Sequence, residues 1–212
     1  MLTGLPPGWN LRRLTGVLLI GQSVGCQLAA HMAARAPQRV RAVLLQGPLF
    51  DPAYRTVPRG LGRWALDLPR EHPTLAVREV PEWLTVGPRR VARVLRQSQR
   101  DRLEDTVAVL DIPVRVLVGE HDPLSQLPWQ HSLSRPDRPP VVMAGLPHSA
   151  PHAAPARSPG WWRLALNAGM PDMRQRLVKL QRRLPGLDHC PDVLPVVGNL
   201  IHTTGADRVQ QR

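Results

Sequence analysis

Apolar residues recur along this chain in four short runs that have the length and composition of buried β-strands. Between the first two runs lies an alanine-rich stretch, residues 26–35, whose composition predicts a helix ended by Pro37. A strand, a helix and a strand joined by short links predict a βαβ unit, and therefore a parallel sheet with right-handed crossovers. The four predicted strands are residues 17–20, 39–46, 113–118 and 141–144.

The strand pattern stops between the second and third predicted strands. Helical pieces separated by prolines take over, and we call residues 50–110 the cap segment. An insertion at this point of an open sheet is the usual place for a lid over a site. The predicted helices of the cap segment are residues 62–68, 80–84 and 88–99.

The chain beyond the last predicted strand changes in character. We expect residues 1–157 to form one α/β domain and residues 158–212 to form a basic tail. Residues 173–184 are amphipathic and predict one helix in that tail, packed by its leucines. Binding of this helix to a membrane surface or a partner is the alternative interpretation.

The strongest local signal is a serine between two glycines, in Gly-Gln-Ser-Val-Gly at residues 21–25. It joins the first predicted strand directly to the first helix, and a tight turn there holds a serine hydroxyl out at the strand end. The flanking Gly21 and Gly25 leave room for the backbone of a strained turn. Ser23 is therefore a candidate nucleophile, and the alternative is that it only caps the helix.

A nucleophilic serine needs a histidine to accept its proton and a carboxylate to orient that histidine. Asp122 and His148 follow the third and fourth predicted strands, as Ser23 follows the first. Loops at the carboxyl ends of parallel strands converge on one rim of the sheet. We therefore expect Ser23, Asp122 and His148 to meet.

Each partner of the serine has competitors in sequence. Glu120 and His121 flank Asp122, but we place Glu120 in the strand end and favour Asp122, because a proline after it fixes the turn. His152 follows His148 by four residues and is the alternative base. We favour His148 because it comes first after the strand.

The net charge suggests an anionic partner, but the type and distribution of the basic residues argue against a nucleic acid. The chain has 28 Lys and Arg against 16 Asp and Glu, a net charge of +12, which suggests an anionic partner. All of these basic residues except Lys179 are arginine, and they are scattered in a composition typical of a GC-rich coding sequence. We therefore expect no nucleic-acid partner, and a basic interaction module using the tail remains an alternative function.

Other features of the sequence argue against a bound cofactor, a metal site and a membrane span. The glycines at 21 and 25 do not form a dinucleotide or P-loop motif, so we expect no cofactor. Cys26 and Cys190 lie far apart and indicate neither a zinc site nor a disulfide framework, so we expect no metal and a reducing, cytoplasmic setting. No apolar run is long enough to span a bilayer, and the N-terminus lacks a signal-peptide pattern.

Taken together, the serine turn, the segment Gly-Glu-His-Asp-Pro at 119–123 and the segment Gly-Leu-Pro-His at 145–148 resemble the α/β-hydrolase family over about residues 9–157. The resemblance implies Ser23 as nucleophile, His148 as general base and acid, Asp122 as its orienting carboxylate and the Val24 N–H as an oxyanion donor. It also implies hydrolysis of a small-molecule carboxylic ester or related acyl bond through an acyl-enzyme. Part of the cap segment is similar to the cap of esterase-like members.

The chain departs from the family pattern before the serine. Family members have several strands there and a loop that carries a second oxyanion donor, whereas only 22 residues precede Ser23. We therefore expect a partial α/β-hydrolase fold with a mostly parallel sheet of about four strands. Its first strand would leave an exposed apolar edge that favours self-association. A truncated, catalytically impaired hydrolase fragment is the alternative function.

Overall fold

The computed structural model describes residues 16–155 and a two-residue strand near the C-terminus. The strands of its single described sheet are β1 (Val17–Gln22), β2 (Val40–Gln46), β3 (Val114–Gly119), β4 (Val141–Met143) and β5 (His202–Thr203). Their order is β4-β3-β2-β1-β5, and β1 to β4 are parallel. The predicted fold class, a partial α/β fold with four parallel strands, is confirmed.

The fifth strand is a feature that the hydrophobic pattern does not predict. It pairs antiparallel with β1, where Leu19 lies opposite Thr203 and Ile20 opposite His202. The edge of β1 is therefore paired over two residues rather than fully open. Self-association through this edge stays a prediction.

Seven α-helices accompany the sheet in the described residues. They are α1 (Gly25–Arg35), α2 (Val57–Asp67), α3 (Pro73–Val86), α4 (Pro88–Arg100), α5 (Leu103–Ala108), α6 (Leu127–Ser132) and α7 (Ala150–Ala153). The cap segment contains α2 to α5. Its helix α3 is longer than the predicted piece at residues 80–84, chiefly because it begins earlier, at Pro73, and Pro81 within it removes one backbone donor without ending the helix.

Both faces of the sheet are buried, as expected for parallel strands. Alternate residues of each strand point to opposite sides, so Leu19 and Leu45 pack towards α1, α5 and α6. Leu18, Leu44 and Leu117 point to the other side, where Ala150 of α7 joins them. This two-sided core fixes the strand ends and the loops that follow them.

Polar contacts tie the cap segment to the domain. The Gln27 side chain on α1 donates to the Ser98 carbonyl at 2.8 Å, and His31 Nε2 lies 2.6 Å from Asp101 Oδ1. Within the segment, Arg55 binds both carboxylate oxygens of Glu104. These contacts hold the cap segment against α1.

The predicted division into a domain of residues 1–157 and a tail of residues 158–212 remains a prediction. The tail helix predicted at residues 173–184 lies outside the described residues. Among the helices that the structure describes, none has the length and apolar character to span a membrane.

Removing a core side chain tests the fold. Leu44 is fully buried in the central strand β2, so we expect Leu44→Ala to lower the free energy of unfolding by about 2–5 kcal/mol. Val77 is 73% exposed on α3, and Val77→Ala should change it by about 0.5 kcal/mol or less. Urea denaturation followed by circular dichroism measures both, and equal losses would contradict this core.

Candidate functional site

Ser23 occupies the turn between β1 and α1 in a strained conformation. Its φ angle is 56°, in the left-handed region that residues with a side chain rarely adopt. The Ser23 N–H donates to the Gln46 carbonyl at 2.9 Å, and the Ser23 carbonyl accepts from the Cys26 N–H at 3.1 Å. A strained residue held by its surroundings in this way is typical of a functional site.

The glycine before this turn is required by close backbone packing. A Cβ at Gly21 would lie 2.5 Å from the Gly25 carbonyl oxygen and 2.7 Å from the Cys26 Cα. The N-cap of α1 is Val24, and no side chain caps this helix. The alternative in which Ser23 serves as a helix cap therefore has no support.

Asp122 and His148 form a buried pair in the loops after β3 and β4. Asp122 Oδ2 lies 2.8 Å from His148 Nδ1, and both residues are at most 7% exposed. The other oxygen, Oδ1, accepts from the N–H groups of Leu124 and Ser125 at 2.8 and 2.9 Å. The carboxylate thus holds the imidazole by Nδ1 and leaves Nε2 for other chemistry.

The competitors of this pair have other partners. Glu120 follows the end of β3 instead of lying in it, and its carboxylate accepts a backbone N–H at 2.7 Å. His152 Nε2 lies 2.9 Å from the Thr74 hydroxyl of the cap segment. The structure brings Asp122 together with His148 and not with His152.

Gly47, which sequence reasoning did not select, lies directly against the pair. A Cβ there would lie 2.9 Å from ring atoms of His148 and 3.2 Å from Asp122 Oδ2, and its φ angle is 55°. No other residue type satisfies both the space and the backbone angle. Its only sequence signal is its position at the end of the second predicted strand.

Two further residues fix the loop that carries His148. A Cβ at Gly119 would lie 2.2 Å from the Pro147 carbonyl oxygen, so the loop packs directly on the end of β3. The Gln46 side-chain amide donates to the His148 carbonyl at 2.8 Å, and the Gln46 backbone carbonyl accepts from the Ser23 N–H. Gln46 therefore links the serine turn to the histidine loop.

The link between Ser23 and His148 is indirect. His148 Nε2 is buried and has no hydrogen-bond partner in the part of the chain that the structure describes, so it does not bind the Ser23 hydroxyl. Ser23, Asp122 and His148 share one rim, where Asp122 contacts His148 directly and Ser23 is connected through Gln46.

Carboxyl groups of the cap segment act electrostatically on His148. Burial alone would lower the pKa of His148, but the charge and hydrogen bond of Asp122, helped by the charges of Asp67 and Glu71, raise it to about 9. Burial raises the pKa of Asp67 to about 7. Glu71 accepts the Ser149 N–H at 2.6 Å. No sequence motif marks these two carboxyls.

The Cys26 thiol, the metal-ligating side chains and the cavity of the described residues add no reactive group to this site. The Cys26 thiol is fully buried and lies 3.2 Å from the Gly21 carbonyl oxygen, and burial raises its pKa far above the usual range. No group of three or more metal-ligating side chains occurs within the described ranges. A cavity of about 160 Å³ lies near Val114, at the opposite end of β3 from Asp122.

Substitution of Gly47 tests the support of the pair. Gly47→Ala places a methyl group against His148 in an unfavourable backbone angle, so we expect a loss of about 1–3 kcal/mol in stability. We also expect loss of the low-field proton resonance of the His148–Asp122 hydrogen bond in NMR spectra. The control Gly62→Ala has open space and should keep both. An unchanged resonance in Gly47→Ala would contradict this packing.

Comparison with known proteins agrees with the fold. The sequence matches the alpha/beta hydrolase fold family over residues 13–140, and no curated protein sequence matches the chain. Three similar solved structures, all 15–20% identical, cover 69–72% of this chain. They are an esterase from Rhodococcus sp. ECU1013 (20% identity, TM-score 0.49, 69% of this chain), the alpha/beta hydrolase MGS-MChE2 from a sediment metagenome of the Mar Chica lagoon, Morocco (15%, 0.51, 71%), and an enzyme that degrades N-acyl homoserine lactones (18%, 0.50, 72%).

The matched region is smaller than the relatives. It covers 63%, 60% and 68% of those three proteins, in the same order. More than half of the 212 residues nevertheless carry the family's sequence pattern, and the sheet order and serine turn fit it. The chain belongs to the alpha/beta hydrolase fold family.

Proposed function

We propose that this protein is a serine hydrolase that cleaves a carboxylic ester or related acyl bond with Ser23, His148 and Asp122. The observation that most supports this proposal is the buried Asp122–His148 hydrogen bond on the same rim as the strained Ser23 turn. Three loops at strand ends carry the three kinds of group that the serine hydrolase mechanism requires, a nucleophile, a base and a carboxylate.

In the proposed reaction the Ser23 hydroxyl oxygen attacks the acyl carbon while His148 Nε2 takes its proton. Asp122 stabilises the imidazolium that forms. The Val24 N–H donates to the oxyanion, and the imidazolium then gives its proton to the leaving group. Water, activated by the same histidine, attacks the acyl-enzyme and releases the acid and Ser23.

The starting protonation state of His148 matters for this mechanism. With a pKa of about 9 the imidazole is mostly protonated at pH 7, and a protonated imidazole cannot accept the Ser23 proton. We therefore propose that deprotonation of His148 limits the activity of the free protein at neutral pH.

A catalytically impaired hydrolase is the second candidate function. The absent hydrogen bond between His148 Nε2 and Ser23 favours it, since the nucleophile is then not activated in the resting protein. Apo hydrolases often tighten this contact only when substrate binds. Hydrolysis of an activated ester therefore separates the two candidates.

Removing the nucleophile is the direct test of the first candidate. With a p-nitrophenyl ester, Ser23→Ala should lower kcat by a factor on the order of 10⁴–10⁶. Ser132→Ala, on the exposed surface of α6, should leave kcat unchanged. Equal rates in wild type and Ser23→Ala would favour the impaired protein.

The pH profile tests the state of the histidine. Because the base must be neutral, kcat/KM should rise about tenfold per pH unit from pH 6 to 8 and level off near pH 9. The measurement is kcat/KM of the wild-type protein across pH 5.5–10 with one ester. A plateau already reached at pH 7 would refute the raised pKa.

A further inference from the structure

Three carboxyl groups of the cap segment gather near His148. Asp67 ends α2, Glu71 lies in the turn that follows and Glu79 lies on α3. The charges of Asp67, Glu71 and Glu79 are all coupled electrostatically to His148. Together with Asp122 they make the space around the imidazole strongly acidic.

Asp67 is the most deeply buried of these three carboxyls. It is 5% exposed, and its Oδ1 has no hydrogen-bond partner among the described residues. Glu71 accepts the Ser149 N–H with Oε1 at 2.6 Å, and its Oε2 is also buried without a partner among the described residues. A buried carboxylate that has neither a donor on one oxygen nor a full counter-charge is costly, and a cationic group of a ligand supplies the missing charge.

Two positive groups, Arg70 and His148, act on Asp67, and both have other partners. Arg70 acts on Asp67, but its side chain donates to the Leu66 carbonyl on the exposed side of the cap segment. His148 is the other positive group, and it is shared with Asp122. Burial raises the pKa of Asp67 and also of Glu71, and the charge of Asp122 adds to this effect in both.

We propose that Asp67, with Glu71, binds a positively charged group on the leaving-group side of the substrate. This inference rests on the proposed hydrolase function. His148 must donate its proton to the leaving group, so the part of the substrate beside His148 and its carboxyl neighbours is the leaving group. The substrate class is then an ester of an amino alcohol, whose cation lies against Asp67.

The two carboxyls have different roles in this site. Glu71 is a positioning residue, because its contact is with the backbone of Ser149, next to the base. Asp67 is the recognition residue, since its buried, unpartnered oxygen is available to a cation of the substrate, and the unpartnered Oε2 of Glu71 adds negative charge beside it.

A competing explanation gives the cluster only one effect, which is to keep His148 protonated. Under that explanation Asp67→Asn makes the base easier to deprotonate and raises activity at pH 7 towards every ester by the same factor. Recognition of a cation predicts a change in selectivity instead.

Two esters of the same shape separate these explanations. The wild-type protein should hydrolyse choline butyrate with a kcat/KM roughly 10- to 100-fold above that for 3,3-dimethylbutyl butyrate, the range expected for one interaction with a charged group. Asp67→Asn should bring this ratio close to 1. Asp105→Asn, on the exposed side of α5, should keep the wild-type ratio.

A binding measurement tests the inference without turnover. In Ser23→Ala, choline alone should lower the pKa of His148, followed by NMR, because a bound cation disfavours the imidazolium among Asp122, Asp67, Glu71 and Glu79. The same choline titration of the Ser23→Ala, Asp67→Asn double variant should leave the His148 pKa unchanged.

The outcomes distinguish this inference from the proposed function. Choline binding that depends on Asp67 in a protein that hydrolyses no ester supports the cation site and counts against the hydrolase. Ester hydrolysis with equal kcat/KM for both substrates, or a parallel rise for both in Asp67→Asn, overturns the cation site and leaves the hydrolase standing. An Asp67-independent effect of choline on His148 also overturns it.

Discussion

The hydrogen bond between Asp122 and His148 is the contact on which the site depends. A buried carboxylate needs several donors, and Asp122 has two backbone N–H groups in addition to the imidazole. The neighbouring backbone must then approach closely enough to exclude water. Gly47 and Gly119 allow this, since a side chain at either position would collide with the pair or with its loop.

The same pair determines the electrostatics beneath the cap segment. Asp122 raises the pKa of His148, and the cap carboxyls add to this effect because they are buried beside it. A free protein with a protonated base and surplus carboxyls suits a substrate that brings its own positive charge. In our proposal, recognition of a cationic substrate and the protonation state of the base both follow from this one arrangement of charges.

The sequence predicted much of the fold because parallel strands buried on both faces leave continuous apolar runs. The serine turn, Asp122 and His148 were found because each follows such a run. Gly47 and Gln46 were missed, since their roles depend on packing across the sheet. Asp67 and Glu71 were missed because they lie at the end of α2 and in the turn after it, whose placement over the rim no local pattern encodes. Helix α3 was predicted too short mainly at its N-terminal end, since it begins at Pro73.

The central claim is that this rim activates Ser23, and mapping the adduct of a fluorophosphonate probe on the folded protein tests it most directly. Such probes label serines that a neighbouring base activates. The account predicts an adduct on Ser23 in wild type that is absent in His148→Ala. A folded protein that forms no adduct, or forms it on another residue, would contradict the account.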